Sequence, residues 1–375
     1  MQSFVSSMQH FINSKQSTLV GKTIRRSYRR GMTMIEIAIA VGLATILVIM
    51  LYGTFWTQIT QLRTQDIRSE MHQNGRFALE ILTRSLRMAG FGSGAGFIYG
   101  VMGNGGAGNA LPVIIPSDGG NSASDVFTVA YMEPSLVMNS KYTVVESCST
   151  TSITFDPLFM DYGDKLRQFR ADDLLMCQDY ATIGTPESYL WSISADAEAT
   201  TPFGAISVTA NSQSDYSSVC GSSDNLTPVL RCSKGQVITF YIDASDNGVG
   251  PGSAEHPVLM MDLNGNYPNN DDVPLVDNIE DLQLQYCVDD STDTVNCNIS
   301  NKWIDSFTAS TQIKHVWGAR VSLIVRSAKE DFNELYVGVR PRLANHNKAN
   351  STDKYFREIV SGEVAIRNLR LLSTN

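Results

Sequence analysis

The sequence lacks the motifs by which common catalytic and metal sites are recognised. It contains neither G-x-S-x-G nor C-x-x-C, and its 5 histidines are scattered rather than placed at metal-ligand spacing. The acidic pairs Asp172-Asp173 and Asp289-Asp290 lie among turn-forming residues, where they are more often solvated charges than an acid/base couple. We therefore predict that the protein is not an enzyme and uses no organic cofactor.

Acidic residues are missing from the first part of the chain. Residues 1–31 contain no Asp or Glu and hold six of the 29 basic residues, which leaves 23 basic against 38 acidic residues in the remainder, a net charge of −15. A surface of that sign repels the phosphate backbone of nucleic acids. We expect no nucleic-acid partner.

Cysteine is also missing from the first 147 residues, and all 6 cysteines follow: Cys148, Cys177, Cys220, Cys232, Cys287 and Cys297. An even number in a Ser-, Thr- and Asn-rich region indicates an oxidising compartment, with disulfides or buried thiols. Because closing a short loop costs the least entropy, we expect Cys220–Cys232 and Cys287–Cys297, which leaves Cys148 with Cys177. Other pairings stay open.

Charge is absent from residues 37–56, a run of 20 residues. A helix of that length reaches about 30 Å and spans the hydrocarbon core of a bilayer. A buried core helix or a cleaved secretory signal are the alternatives, but a secretory signal has an apolar segment of about 7–15 residues. The basic cluster before the run predicts that the chain's N-terminal side stays in the cytoplasm and that the rest is extracytoplasmic.

The helical period continues beyond the apolar run, with Ile59, Leu62, Ala78, Leu79, Leu82, Leu86 and Ala89 at three- and four-residue steps. One helix over Thr33–Ala89 is predicted, roughly 85 Å long, ended by the glycine-rich residues 90–96. A nucleotide-binding glycine loop requires a preceding strand, so this helix argues against one.

The segment Arg29-Arg30-Gly31-Met32-Thr33-Met34-Ile35-Glu36, followed by an apolar helix, resembles the class III signal of type IV prepilins and pseudopilins. The resemblance implies that a membrane peptidase cuts after Gly31 and that Met32 becomes the new N-terminus. It also implies that Glu36 accepts an α-amino group, its own or that of a neighbouring subunit, during assembly. The alternative is that Glu36 is only a charge at the start of the helix that satisfies the helix dipole.

Beyond residue 97 the sequence alternates with period two in short segments, typical of antiparallel strands: residues 126–131, 142–145, 152–155, 237–242, 282–286 and 319–325. Residues 100–124, 194–235 and 244–274 are predicted to be loops, because they are rich in small and polar residues. The predicted fold class is α+β and pilin-like, with one long N-terminal transmembrane and amphipathic helix followed by a mainly antiparallel β head.

The head is similar to the large PilW-type minor pilins in several segments: residues 275–286, 319–327, 355–357 and 363–369, with residues 74–78 and 87–91 of the helix. The resemblance implies three parts, a leader (1–31), a helix (32–90) and an extracytoplasmic head (91–375). It implies an inner-membrane protein that moves to the pilus surface on assembly.

The implied function is that of a minor type IV pilin that primes pilus assembly or lies near the tip, supporting adhesion and twitching motility. The implied partners are the prepilin peptidase, other minor and major pilins, the inner-membrane assembly platform and a tip adhesin. Two alternatives stay open. One is a minor pseudopilin of a type II secretion system, and the other is an uncut, signal-anchored surface adhesin or enzyme.

One loop has the composition of a calcium site. Asp262, Asn264, Asn266 and Asp271 place oxygen ligands around a glycine, as hard cations require. The loop lacks the full spacing of a known calcium loop, and turns are built from the same residues. Calcium binding and a plain turn are therefore alternative interpretations.

Overall fold

The fold is described from a computed structural model of the whole chain. The described residues are 31–93, 97–100, 111–133, 145–148, 152–155, 169–171, 173–179, 188–195, 205–209, 230–245, 250–263, 272–288, 297, 302–307, 315–331, 336–349 and 352–370. The chain divides into two compact units, Met1–Arg63 and Thr64–Asn375, which we take separately.

The described part of the first unit is the beginning of helix α1, which comprises Met34–Met88. The helix is long and apolar enough, by length and composition, to cross a membrane, and none of its apolar window is buried. It begins and ends within one residue of the predicted Thr33–Ala89. An uninterrupted run of good helix formers with glycine at its end explains the agreement.

The C-terminal end of α1 is closed by backbone and side-chain contacts. Gly90 and Gly92 have φ of 74° and 78°, which only glycine adopts at little cost. The Gly90 N–H donates to the Ala130 carbonyl at 2.9 Å. The side-chain amide of Asn368, on the short helix α2 (Arg367–Arg370), donates to the carbonyls of three residues. They are Arg87 (3.0 Å), Met88 (3.3 Å) and Ala89 (3.2 Å).

The head is built from strands, which in chain order are β1 (Phe97–Gly100), β2 (Leu111–Pro112), β3 (Ile114–Ser117), β4 (Val126–Met132), β5 (Val145–Cys148), β6 (Ser152–Phe155), β7 (Leu174–Asp179), β8 (Ser188–Ile193), β9 (Ala205–Thr209), β10 (Leu230–Asp243), β11 (Val258–Asp262), β12 (Val273–Asp277), β13 (Ile279–Val288), β14 (Trp303–Ile304), β15 (Val316–Arg326) and β16 (Arg357–Ala365). Among the described residues they form a 12-stranded and a 4-stranded sheet. All pairs are antiparallel except β1 with β8.

The 4-stranded sheet has the order β14-β13-β15-β16 and packs on the second half of α1. The helix presents a buried face at three- and four-residue steps: Met71, Gly75, Ala78, Leu82, Leu86 and Ala89. A Cβ at Gly75 would lie 2.8 Å from Val360 Cγ2 and 3.0 Å from Val325 Cγ2, so the glycine permits the close approach of helix and sheet.

The 12-stranded sheet has the order β12-β11-β10-β7-β8-β9-β6-β5, with β4 on β10 and β3 on β4. It corrects the loop predictions. Residues 100–124 contain β2 and β3, residues 194–235 contain β9 and the start of β10, and residues 244–274 contain β11. These strands are short or rich in polar residues, and they are held in the sheet by pairing with other strands, which local composition does not reveal.

Candidate functional site

The segment before α1 is the candidate processing site. Residues 31–33 are exposed and have no regular structure, and no described residue lies within 4 Å of a Cβ built on Gly31. With respect to the described part of the chain, the peptide bond between Gly31 and Met32 is therefore uncovered, two residues before the helix begins.

Thr33 and Glu36 form a reciprocal cap at the start of α1. The Thr33 N–H and hydroxyl donate to Glu36 Oε2 at 2.9 and 3.1 Å, and the Glu36 N–H donates to Thr33 Oγ1 at 3.3 Å. This is the capping box, in which Ser or Thr and a Glu three residues later satisfy the free donors of the first turn. In the uncut chain Glu36 thus closes the helix start. The T-x-x-E pattern before an apolar run is the signal that would have identified Thr33 from the sequence.

The charge-free part of α1 presents apolar side chains in every direction. Representative exposures are 60% for Leu47, 67% for Leu51 and 62% for Phe55, and no described residue of 37–56 is buried. Tyr52 and Trp56 stack at 6.5 Å between ring centroids, one turn apart. Such a surface is stable in lipid or against the helices of other subunits, and not in water.

A buried polar network joins the two sheets of the head. The Asp281 carboxylate, fully buried on β13, contacts Arg340 Nη1 at 3.0 Å and His346 Nδ1 at 2.8 Å, and it accepts from the Ser124 hydroxyl at 2.9 Å. Arg340 Nη2 lies 2.8 Å from His346 Nε2. Because arginine only donates, His346 Nε2 is assigned as the acceptor of this contact.

Asp125 extends this network toward β4. Its carboxylate accepts from the N–H of Leu284 at 2.7 Å and of Gly119 at 2.9 Å. Burial raises the pKa of Asp125 to about 7, although these two N–H groups act in the opposite direction. The sequence shows these residues only as scattered polar positions, because the chain brings residues 118–125, 281–284 and 340–346 together solely in three dimensions.

A second ion cluster lies at the start of β16. Arg357 donates to both oxygens of Glu280, at 2.5 and 3.0 Å, and to both oxygens of Asp353. Hydrogen bonds from the Arg357 guanidinium hold the pKa of Asp353 below its usual range. The bidentate pairing fixes the start of β16 to the start of β13.

The disulfides correct two of the predicted pairings. Cys287–Cys297 is present, as the short spacing predicts. Cys177 pairs with Cys232, across 55 residues, and not with Cys148. The reason is sheet register, since Cys177 of β7 and Cys232 of β10 are directly opposite each other with their Cα atoms 3.9 Å apart. Cys220, predicted to pair with Cys232, lies outside the described residues.

The predicted calcium loop lies largely outside the described residues, which include Asp262 but not Asn264, Asn266 or Asp271. Asp262 is buried at the end of β11, opposite Thr239. Within the described ranges, no group of three or more His, Cys, Asp or Glu side chains is arranged to hold a metal ion. Calcium binding stays a prediction.

Taken together, a long apolar N-terminal helix followed by mainly antiparallel sheets defines an α+β fold, as predicted. Residues 239–368 match the family Type IV Pilus-assembly protein W. This match confirms the resemblance to PilW-type pilins. It contains the head segments 275–286, 319–327 and 355–357 that carry the resemblance, and residues 363–368 of the fourth segment.

No curated protein matches the chain. Among solved structures, the chain is similar to a type IV-like pilin from Thermus thermophilus, with 9% sequence identity over 82% of this chain and 98% of that one and a TM-score of 0.31.

Proposed function

We propose that the protein is a minor type IV pilin that primes pilus assembly or lies at or near the tip, and that it is structural rather than enzymatic. The observation that carries the proposal is the exposed, charge-free surface of residues 37–56, directly behind an accessible Gly31–Met32 bond and in one chain with a PilW-like head. A head of this size favours a position at the end of a fibre over one repeated along its shaft.

In the proposed sequence of events, the apolar residues 37–56 hold the precursor in the inner membrane, with the leader 1–31 on the cytoplasmic side, until the prepilin peptidase cuts after Gly31. Residues 32–90 then join a helical bundle of major and minor pilins on the assembly platform, and residues 91–375 become surface-exposed with the fibre. Glu36 exchanges its contact with the Thr33 N–H for an α-amino group, its own or a neighbour's. A tip adhesin is a further proposed partner.

The experiment is fractionation of native cells that carry the full chain with a C-terminal tag. We expect the tag in sheared pili, with deletion of the protein reducing the number of pili and twitching motility. Loss of exoprotein secretion with normal pili would instead support a type II pseudopilin. An uncut tagged protein that stays in the membrane fraction would support a signal-anchored adhesin.

A further inference from the structure

Strand β16 forms an open edge of the 4-stranded sheet. It is last in the order β14-β13-β15-β16, and among the described residues no strand pairs with its outer side. Its register with β15 runs without a shift from Gly318↔Ala365 to Arg326↔Arg357. The Ile366 N–H donates to Trp317 and the Ser327 N–H to Phe356. Residues 358, 360, 362 and 364 therefore bond to β15, and residues 357, 359, 361, 363 and 365 direct N–H and C=O groups outward.

The edge carries few of the features that normally prevent strand pairing. At one end of the 12-stranded sheet, β12 contains Pro274 and its register with β11 shifts at Leu259/Met260. The other edge of the smaller sheet, β14, has only two residues. By contrast β16 has nine residues, no proline and no bulge. Proteins usually blunt a long regular edge, so an unblunted one is a template for another strand.

The middle of β16 is accessible from the side away from α1. Ile359 is 47% exposed, and Ser361 is also exposed. The charged side chains on that face lie toward the strand ends, where Arg357 pairs with Glu280 and Glu363 with Arg320. Residues 359–362 are uncharged.

The direction of β16 is matched to that of the helix. His72 contacts Glu358 at 3.1 Å, Gly75 approaches Val360, and Gly362 approaches Leu79. Residue numbers increase together, so β16 runs parallel to this part of α1. In a neighbouring subunit of the same fold whose helix packs parallel to α1, the strand that corresponds to β16 therefore runs in the same direction as β16. Backbone pairing between the two subunits then requires no reorientation.

We propose that β16 binds an extended strand of the adjacent pilin-type subunit, adding it to the 4-stranded sheet by backbone hydrogen bonds. This inference rests on the proposed function, because the assembly is what supplies an aligned neighbour. Backbone pairing of this kind gives affinity from the main chain, and exposed side chains such as Ile359 add contact area.

The test compares hydrogen exchange of the full-length chain in detergent with that of the same chain in sheared fibres. Peptides that contain Ile359, Ser361 and Glu363 should exchange about tenfold more slowly or better in fibres, since hydrogen-bonded amides must open first. A photo-crosslinking residue at position 361 identifies the neighbour. We expect the crosslinked neighbour to be a subunit whose precursor carries a prepilin leader. A crosslink to a lipid or to an unrelated protein overturns the proposal.

The matched variants are Ser361→Pro and Ser361→Val. Both keep the contacts with β15, since the Ser361 N–H points outward, but only proline removes the outward donor and blocks a second strand. Ser361→Pro should lower the amount in fibres about fivefold or more, while Ser361→Val incorporates normally. Wild-type protein absent from fibres overturns the proposed function together with this inference. Wild-type protein present, with no slowing of exchange or with Ser361→Pro incorporated equally, overturns the inference alone.

Discussion

Gly31 is the residue on which processing depends. Because no described residue lies within 4 Å of a Cβ at this position, Gly31→Arg has no steric reason to disturb the described fold. We expect it to block the peptidase and leave a precursor with 31 additional residues, visible by mass spectrometry of membrane-extracted protein.

The matched control for charge is Gly21→Arg, ten residues upstream in the leader. This variant should still be cut, with Met32 at the mature N-terminus. A mature N-terminus at any other residue would show that the prepilin interpretation of the leader is wrong.

Glu36 has two separable roles, since its carboxylate closes the first turn and carries a charge. Glu36→Gln keeps a side chain that completes the capping box but removes the charge, whereas Glu36→Ala removes both. If Glu36 pairs with an α-amino group, both variants should insert in the membrane normally and be depleted from fibres, as measured by quantitative immunoblotting. If Glu36→Gln is incorporated into fibres normally and Glu36→Ala is not, Glu36 acts only as a cap of the helix start, and its charge has no role in assembly.

At the scale of elements, the Asn368 amide helps to cap the end of α1. Asn368→Ala removes the side-chain donor to the carbonyls of Arg87, Met88 and Ala89, although Met88 still accepts from the Phe91 N–H at 2.8 Å, and it should lower the free energy of unfolding by about 1–2 kcal/mol. Asn368→Asp has the same shape but places a negative acceptor against three carbonyls, so it should cost more. Thermal unfolding of the full chain in detergent measures both. An aspartate variant as stable as wild type would contradict the capping role.

The elements predicted from sequence are those whose pattern is local. The apolar run and its glycine stop are sufficient to define α1, and β13 and β15 alternate clearly. The first half of β10, Leu230–Gln236, was missed because it contains Arg231, Lys234 and Gly235 and is held by β7, more than 50 residues earlier. Gly235 is required there, since a Cβ would lie 2.9 Å from Leu190.

The residues of the candidate site also divide into those that a local sequence motif predicts and those that it does not. Gly31, Met32 and Glu36 follow from a contiguous motif and could be named from the sequence. Asn368 and the cluster around Asp281 could not, because the cited partners lie 59 to 281 residues away in the chain and no local sequence pattern indicates them.

At the scale of the whole molecule, disulfides restrict the unfolded head. With their cysteines 55 and 10 positions apart in the sequence, Cys177–Cys232 and Cys287–Cys297 are expected to contribute up to about 4 and 3 kcal/mol by the chain-entropy relation. Non-reducing peptide mapping of the protein from the native host should recover both pairs. Reduction of both disulfides should lower the midpoint of unfolding. The double variant Cys287→Ser and Cys297→Ser should lose only the smaller of the two contributions to stability. Free thiols at Cys177 and Cys232 would contradict the register of β7 and β10.

The stability of the head should also depend on pH through Asp125. Burial raises the pKa of Asp125 from its ordinary value of 3.8 to about 7 in the folded protein, which therefore retains a proton that the unfolded chain has released. The contribution of Asp125 therefore makes stability fall as pH rises from about 4 to about 7. Urea unfolding across that window should show a flatter profile for Asp125→Asn, while exposed Glu70→Gln leaves the profile unchanged. A wild-type slope retained in Asp125→Asn would contradict this assignment.

The contact between Asn368 and the end of α1 also determines the order of folding events while the chain is being synthesised. Met88 leaves the ribosome 280 residues before Asn368, which at about 5–20 residues per second is a delay of roughly 14–56 s. During that interval the apolar start of α1 is available to the membrane while its second half has neither its cap nor β16 to pack against. Anchoring therefore precedes completion of the head, and a chain truncated near residue 366 would be anchored but left with an open helix end, exposed to proteolysis.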